Sequence, residues 1–374
     1  MSLDNAAIAE LLALASQKAK YPLQKALRRA SRRAFMWPEE ARTLWEQGRS
    51  LTELAGVGPH LERIIAEWLE SPPSVPEPPA IRKDFLTFPA ARAALAKKPA
   101  WARALKGDLQ MHTEWSDGAG SIAEMAQAAL VRGYEYIAIT DHAQSLKIAG
   151  GIDPAQLRLQ SDVIERVNED LETARESLRV LRSIELNLNP VGEGDMPADV
   201  LASLDVVLGC FHSALRKKDD QTDRYVRALH NPMIQILGHP RGRIYNFRAG
   251  LSADWPRVFA VAAELDKAVE IDAYPDRQDL SVDLLQLAKR AGCRISIGTD
   301  AHGPEQLAFI ELGLAAALLA GIKSDRVLNF MPRSALLAWV TQVRLGGVHG
   351  SGRRIGGATS HPGREPGARD RVLP

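Results

Sequence analysis

Cysteine is nearly missing from this chain: Cys210 and Cys293 are the only two, both inside apolar, strand-like runs. Two such residues cannot build a disulfide framework, and their scarcity fits a reducing compartment. Excess charge of either sign is missing too, with 47 basic against 46 acidic residues and a formal net charge of +1. No overall field therefore draws the chain to nucleic acid, and any basic surface has to be local. No apolar run approaches the ~20 residues of a membrane span, and no signal-peptide hydrophobic stretch is found at the start. A soluble, cytoplasmic protein without a membrane partner is expected.

What is there amounts to 374 residues, 45% hydrophobic and 25% charged, enough for one barrel-sized domain and a smaller one. Residues 1–70 read as all-helical. Residues 71–84 open with Ser71-Pro-Pro-Ser-Val-Pro-Glu-Pro-Pro79 and read as a semi-rigid linker. Over 85–345, after a short helix around Ala90–Leu105, strands alternate with amphipathic helices. The helices are expected at Ser121–Arg132, Pro154–Ser177, Gln221–His230, Asp254–Asp266, Val282–Ala291 and Glu305–Ala320. That order is the signature of a parallel sheet with crossover helices. Residues 346–374 collapse to Gly, Arg, Pro and Ser and read as a disordered tail, in which His349 and His361 are not expected to act as ligands.

Six β-branched, apolar runs each end in a histidine or carboxylate: 108–112, 137–142, 182–185, 206–212, 234–239 and 295–302. Parallel strands carry such residues to one rim of a barrel. Counting Ala268–Ala273 gives seven strands, and about 240 residues match the ~250 of a (β/α) barrel. Ligands on six of seven strands favour a closed ring over a doubly wound sheet, whose ligands gather at one crevice.

His112 ends the first run, and Asp117 lies in the loop behind it, just before Gly118. His142 ends the second, with Asp141 beside it as a candidate acceptor for a ligand imidazole. Glu185 has the reach to bridge two ions. His212 and His239 end the fourth and fifth runs, and Asp300 and His302, two apart, share a strand face. One strand-end histidine is more often a packed core residue than a ligand. Here five of nine histidines end predicted strands beside three carboxylates, while His60 and His230 lie on helices. The constellation points to a cluster of divalent ions and a metal-dependent hydrolase. A donor set of His, Asp and Glu suits Mn2+ or Zn2+ rather than a structural cysteine site. Cys210 shares a face with His212 and is expected to be packed. Such ions activate water and offset charge that develops on phosphate oxygens. Among the loop cations, Arg277 is the preferred phosphate contact and Arg241 the second.

In the N-terminal region, Leu51–Leu69 reads as helix, Gly56-Val57-Gly58 turn, helix. The glycines would let backbone N–H groups approach a phosphate at the start of the second helix. Seven Lys or Arg and no acid lie between Gln17 and Pro38. Lys25, Arg28, Arg29 and Arg32 from this block, with Gly56 and Gly58, are the candidate nucleic-acid contacts.

The series Gly107-Asp-Leu-Gln-Met-His-Thr-Glu-Trp-Ser-Asp-Gly118, Ile139-Thr-Asp-His142, Phe211-His-Ser213, Gly238-His-Pro240 and Gly298-Thr-Asp-Ala-His302 resembles the PHP phosphoesterase domain. It is most similar to the version at the C-terminus of bacterial X-family DNA polymerases. The resemblance implies an α/β fold with a distorted seven-stranded (β/α)7, TIM-like barrel and a small all-helical N-terminal domain. It implies two to three divalent ions, Mn2+ and/or Zn2+, held by His112, Asp117, His142, Glu185, His212, His239, Asp300 and His302. Glu185, Asp300 and His302, with Arg277 and Arg241, would take part in the reaction. Gln110 stands where the family's first strand offers another histidine, and its neutral amide makes it a weak ligand. The Leu51–Leu69 segment resembles a helix-hairpin-helix DNA-binding motif. No counterpart of the polymerase palm, with its paired aspartates, lies between the two regions, so polymerase activity is not expected. The implied function is a phosphoesterase acting on nucleic acid, a 3′–5′ exonuclease or 3′-end phosphatase with DNA as partner. The alternatives are a small-molecule or nucleotide phosphatase, and a metal-stabilised DNA-repair scaffold without catalysis.

Overall fold

The computed structural model describes residues 3–346; the tail expected beyond, with His349 and His361, lies outside the described residues except for Gly346. The described residues open with four α-helices, α1 (Asn5–Lys18), α2 (Leu23–Arg33), α3 (Ala41–Glu46) and α4 (Pro59–Glu70). Asp4 starts α1 by accepting the Ala7 N–H at 2.8 Å. Helix α2 turns Leu27, Ala30 and Ser31 inward and most of its cations outward. These helices share one core built from residues such as Ile8, Leu12, Leu27, Trp37, Leu44 and Ile65.

The expected helix–turn–helix over Leu51–Leu69 is only half regular, since its first arm is a single 3-10 turn, Leu51–Glu53. Glu62 reaches back from α4 and accepts both the Leu51 N–H (2.8 Å) and the Ser50 hydroxyl (2.7 Å), which fixes that turn without a longer helix. Gly56 takes φ +84°, and Gly58 precedes Pro59 at the first position of α4.

The helices are pinned to the rest of the chain. Tyr245 gives or accepts a 2.9 Å hydrogen bond with Ser31, and its ring meets Phe35 and Phe85 edge-on. Arg82, within the stretch read as a linker, is buried and grips Glu10 through two 2.7 Å hydrogen bonds. It also donates to Asn246 at 3.0 Å. Removing one partner of a buried pair like this costs about 3–5 kcal/mol.

Among the described residues eight strand segments follow: β1 (Gly107–Asp108), β2 (Tyr136–Ile139), β3 (Arg179–Arg182), β4 (Glu185–Asn187), β5 (Leu208–Cys210), β6 (Ile236–Leu237), β7 (Ala268–Asp272) and β8 (Arg294–Gly298). They form two parallel sheets, ordered β1-β2-β3 and β4-β5-β6-β7-β8. Isolated parallel bridges join them, His142 to Glu185 at one seam and Met111 to Ala301 at the other. The run expected to end at Glu185 is broken: it leaves β2 at Arg182 and pairs with β5 from Glu185 on, so Glu185 opens a strand.

Around the strands run α5 (Phe88–Ala96), α6 (Pro99–Ala104), α7 (Ile122–Val131), α8 (Pro154–Thr173), α9 (Ala198–Ala202), α10 (Thr222–His230), α11 (Trp255–Glu264), α12 (Val282–Ala291), α13 (Ile310–Ala320) and α14 (Arg333–Arg344). The single helix expected at Ala90–Leu105 is two, because Pro99 starts a new one. The helix expected from Glu305 opens as a 3-10 segment, Pro304–Phe309. Along β2, Tyr136 and Ala138 face one core while Ile137 and Ile139 face another, the period-2 alternation of a strand buried on both sides. The inner set, with Leu109, Leu181, Leu208 and Ile236, is closed from below by Leu336, Trp339, Val340 and Val343 of α14. Apolar packing thus fills the end of the sheets where the strands begin, and the polar side chains gather where they end. Among the described residues no helix is long and apolar enough to cross a membrane.

Candidate metal centre

Glu185 is the hub. It is fully buried, and four imidazoles surround its carboxylate: His212 and His239 through Nε2 at 2.7 Å, His112 at 3.2 Å and His142 at 3.6 Å. Gln110 donates to it at 3.2 Å. His112 Nε2 also meets Asp300 at 2.9 Å, and Asp117 lies 3.6 Å from His142 and 3.4 Å from His302. All eight ligands expected from the sequence, and Gln110, are thus brought into one cluster. Their donor atoms form overlapping groups within 4.8 Å, such as His112-Asp117-His142-His302, His142-Glu185-His212 and His112-Glu185-Asp300.

The backbone is bent to do this. Asp300 holds φ +52° while its N–H binds the Gln110 carbonyl at 3.0 Å, and His239 holds φ +22°. Such conformations persist where the surroundings over-determine them, which is common at functional sites. Gly118 lets the loop carrying Asp117 close on His112; a Cβ there would stand 2.6 Å from the His112 carbonyl.

The electrostatics are those of a nest waiting for cations. Burial alone would raise Glu185, but the imidazoles of His142, His239 and His212 hold it well below the carboxylate range. Burial would lower His112, yet its hydrogen bonds to Asp300 and Glu185 raise it well above ordinary histidine. His142 is pushed down to about 3 by burial, with His112 and His212 adding to the effect. Burial would raise Asp300 as well, and Arg277 and His112 keep it low.

Divalent ions fit these residues. Gln110 Oε1, His112 Nδ1 and His142 Nδ1 are buried without a hydrogen-bond partner, a combination that native proteins rarely leave unexplained. His212 gives its Nδ1–H to Asn187 at 2.5 Å, so in the neutral form its Nε2 lone pair points at a carboxylate oxygen 2.7 Å away. Positive charge is needed at that point.

Other expected residues have mixed placements. Arg277 is at the centre, 2.8 Å from Asp300 and 3.6 Å from Asp272. Arg241 instead donates to the Ala249 carbonyl at 2.6 Å, and its backbone N–H binds Asp279, so it holds a loop. Asp141 holds no imidazole. It accepts from the Thr113 N–H and hydroxyl, Ser116 and Gln160, and so fixes the loop that carries Asp117. Cys210 is buried beside Glu185 and His239, and burial together with the Glu185 and Glu270 carboxylates raises its thiol well above the ordinary value. Lys25, Arg28, Arg29 and Arg32 line an outward face of α2, where Arg32 pairs with Asp276. Gly56 lies under Arg33, and Gly58 borders open space.

Two contributors escaped sequence reasoning. Asn187, two residues after Glu185 on the same strand face, orients His212; its amide donates to the Ala143 carbonyl and Asp195, both at 3.0 Å, which leaves its oxygen to accept. Glu270 accepts the His239 N–H at 2.7 Å, and burial with neighbouring Asp272 raises it well above the carboxylate range. The alternation Glu270-Ile271-Asp272 was the available signal for both acids of β7.

A PHP domain match covers residues 108–300. The chain is 38% identical over 226 residues to the DNA polymerase/3′-5′ exonuclease PolX of Bacillus subtilis, a match taking in 60% of this chain and 39% of that protein. It is 29% identical over 235 residues to a probable phosphatase of Thermoanaerobacter sp., covering 59% of this chain and 89% of the relative. Among solved structures, a histidinol phosphate phosphatase from Lactococcus lactis, complexed with zinc, L-histidinol and phosphate, aligns over 58% of this chain and 94% of its own at 16% identity and a TM-score of 0.43. The chain belongs to the PHP domain family.

Proposed function

We propose that the chain hydrolyses phosphate esters at the ends of nucleic acids, as a 3′–5′ exonuclease or a 3′-end phosphatase. The observation that carries the hydrolytic part is the gathering of four imidazoles on Glu185. We read the two sheets as one distorted seven-stranded TIM-like barrel, with β3 and β4 as halves of a single strand. Two to three ions, Mn2+ and/or Zn2+, would be held by His112, Asp117, His142, Glu185, His212, His239, Asp300 and His302, with Gln110 as a weak donor. When bound, such ions supply activated water and neutralise phosphate charge.

The chain's own side chains do the rest. Asn187 and the Asp300 carbonyl accept from the Nδ1 atoms of His212 (2.5 Å) and His302 (2.7 Å), which turns both Nε2 atoms toward the centre. Arg277, beside Asp300, is the group set to hold a phosphate oxygen. Apolar side chains and α14 close the interior where the strands begin, so substrate enters from the polar rim where they end.

The nucleic-acid part rests on the helices of residues 1–70, which we read as a DNA-binding, helix-hairpin-helix-like unit joined through 71–84 to the PHP region of 85–345. Its support is the one-sign block on α2, docked beside Asp276 next to Arg277. Two buried, unpaired cysteines fit a cytoplasmic setting. A second reading, hydrolysis of a small phosphorylated metabolite or nucleotide, is favoured by a cavity of about 330 Å3 beside His212, lined by Ser145, Asn187, Asn189, Glu193 and Asp195. Those groups are suited to substrate hydroxyls.

Incubating metal-loaded protein with end-labelled oligonucleotides and a generic phosphomonoester decides between them. A ladder of products supports the exonuclease, and loss of a terminal phosphate alone supports the 3′-end phosphatase. Turnover of the monoester with intact oligonucleotides supports the metabolite reading and overturns ours.

A further inference from the structure

Between α2 and the segment after β7 lies a cavity of about 390 Å3 that the hydrolytic cluster does not account for. One wall is cationic. Lys25, Arg28, Arg29 and Arg32 stand within roughly 100° of one another around α2, at 3.6 residues per turn. The uncharged part of the lining is Met36, in the turn that continues α2, with Tyr274 and Pro275 from the segment after β7. The single acid, Asp276, is already paired with Arg32.

Position gives the cavity its meaning. The Tyr274 ring that lines it also stands edge-on to His302, 6.2 Å between centroids, and Arg277 reaches Asp300 at 2.8 Å. Residues 274–277 can span at most about 14 Å, so the cavity opens where the metal cluster begins. The gap is held constant, because Ser31 on α2 is bonded to Tyr245 and Glu10 on α1 to Arg82.

A bare phosphate would use the cations and leave the ring, the proline and the methionine idle. A ligand with an anionic edge and a planar apolar body uses both parts of the lining, and the volume suits one such unit. We propose that this cavity is a nucleotide subsite, which takes the nucleotide next to the one whose ester is cut. The base lies on Tyr274, Pro275 and Met36, and the phosphate on Lys25, Arg28 and Arg29. The preferred substrate is then a phosphodiester chain of at least two nucleotides rather than a lone monophosphate. This deepens the nucleic-acid reading above and rests on it.

The test is equilibrium binding of a fluorescent thymidine tetranucleotide to the full chain in EDTA, by anisotropy over a series of salt concentrations. The variant Lys25→Glu/Arg28→Glu/Arg29→Glu should bind at least tenfold more weakly, with the log–log salt slope flattened by about 2 for three lost contacts to a single strand. All three side chains are exposed, and circular dichroism is the check that the variant folds. Tyr274→Leu should weaken binding about tenfold and leave the slope unchanged, because stacking is lost and no charge is. Affinity within twofold of the parent in the triple variant overturns the subsite. So does an unaffected Tyr274→Leu, which would mean a phosphate patch without a place for a base. Oligonucleotide cleavage, measured separately with Mn2+, keeps the two readings apart. Binding as described without cleavage sinks the reaction and leaves the subsite; cleavage with an indifferent triple variant does the reverse.

Discussion

Asn187 accepts a 2.5 Å hydrogen bond from His212 Nδ1, and that bond decides which ring nitrogen faces Glu185. A ligand imidazole left without such a partner can rotate or change tautomer. Asn187→Ala should therefore lower metal affinity about 10- to 100-fold. Asn187→Asp, which still accepts, should stay within a few-fold of the parent. Competition with a chromophoric chelator measures both, and equal loss in the two variants would show that the amide acts through its bonds to Ala143 and Asp195 instead.

Gly118 is the second test. A Cβ there would lie 2.6 Å from the His112 carbonyl and 2.7 Å from the Thr113 nitrogen, both rigid backbone. Gly118→Ala should destabilise the chain by about 1–3 kcal/mol in urea titrations and push Asp117 off His142 and His302. Unchanged stability and unchanged metal affinity would mean that the loop has slack.

Much of the site was legible because the ligands sit at strand ends, where periodicity and chemistry coincide. His112, His142, His212, His239 and Asp300 each close an apolar run, and such runs can be read without knowing their partners. What sequence could not show is which polar group touches which. Asp141 looked like an imidazole acceptor from its place beside His142, but the Thr113 N–H and the Thr113 and Ser116 hydroxyls occupy it instead. Arg241 follows His239 directly, yet a tight loop turns it to the Ala249 carbonyl. The break between β3 and β4 was hidden because only Ser183 and Ile184 separate the two pieces, with no turn residue between them, and only their strand neighbours change. The helix pair at Leu51–Leu69 read as two full arms, although Glu62 reaching back allows the first to stop after one turn.

Lys267 lies outside the site and carries a pH prediction. It is 4% exposed, its ammonium donates to the Asn231 carbonyl, and burial pulls it down to about 8 from 10.5. Between those values the unfolded chain binds a proton that the folded chain does not, so unfolding free energy rises with pH across that window. Below about 8 both states are charged, and the folded one bears the full desolvation penalty. Lys267→Met should be more stable than the parent by about 2 kcal/mol at pH 7, after allowing for the lost hydrogen bond. The gap should narrow steadily above pH 8. A gap that stays constant from pH 7 to 10 in urea titrations would contradict this assignment.

Metal removal should also register as stability. If ions bind the folded chain alone, free metal at 100 times its dissociation constant adds about 2.7 kcal/mol, which a chelator takes away. The expected result is a melting temperature several degrees lower in EDTA, restored by Mn2+ or Zn2+. Identical melting with and without chelator would mean that the cluster holds no ion under those conditions.

The most direct measurement is metal content by elemental analysis, on the parent and on Glu185→Gln, after equilibration with Mn2+ and desalting. Two to three equivalents per chain in the parent, and a loss of at least one in Glu185→Gln with phosphoesterase activity down by two to three orders of magnitude, is the predicted result. A parent that retains less than one equivalent, or a variant that keeps both metal and activity, would contradict the assignment of Glu185 as the centre of the site.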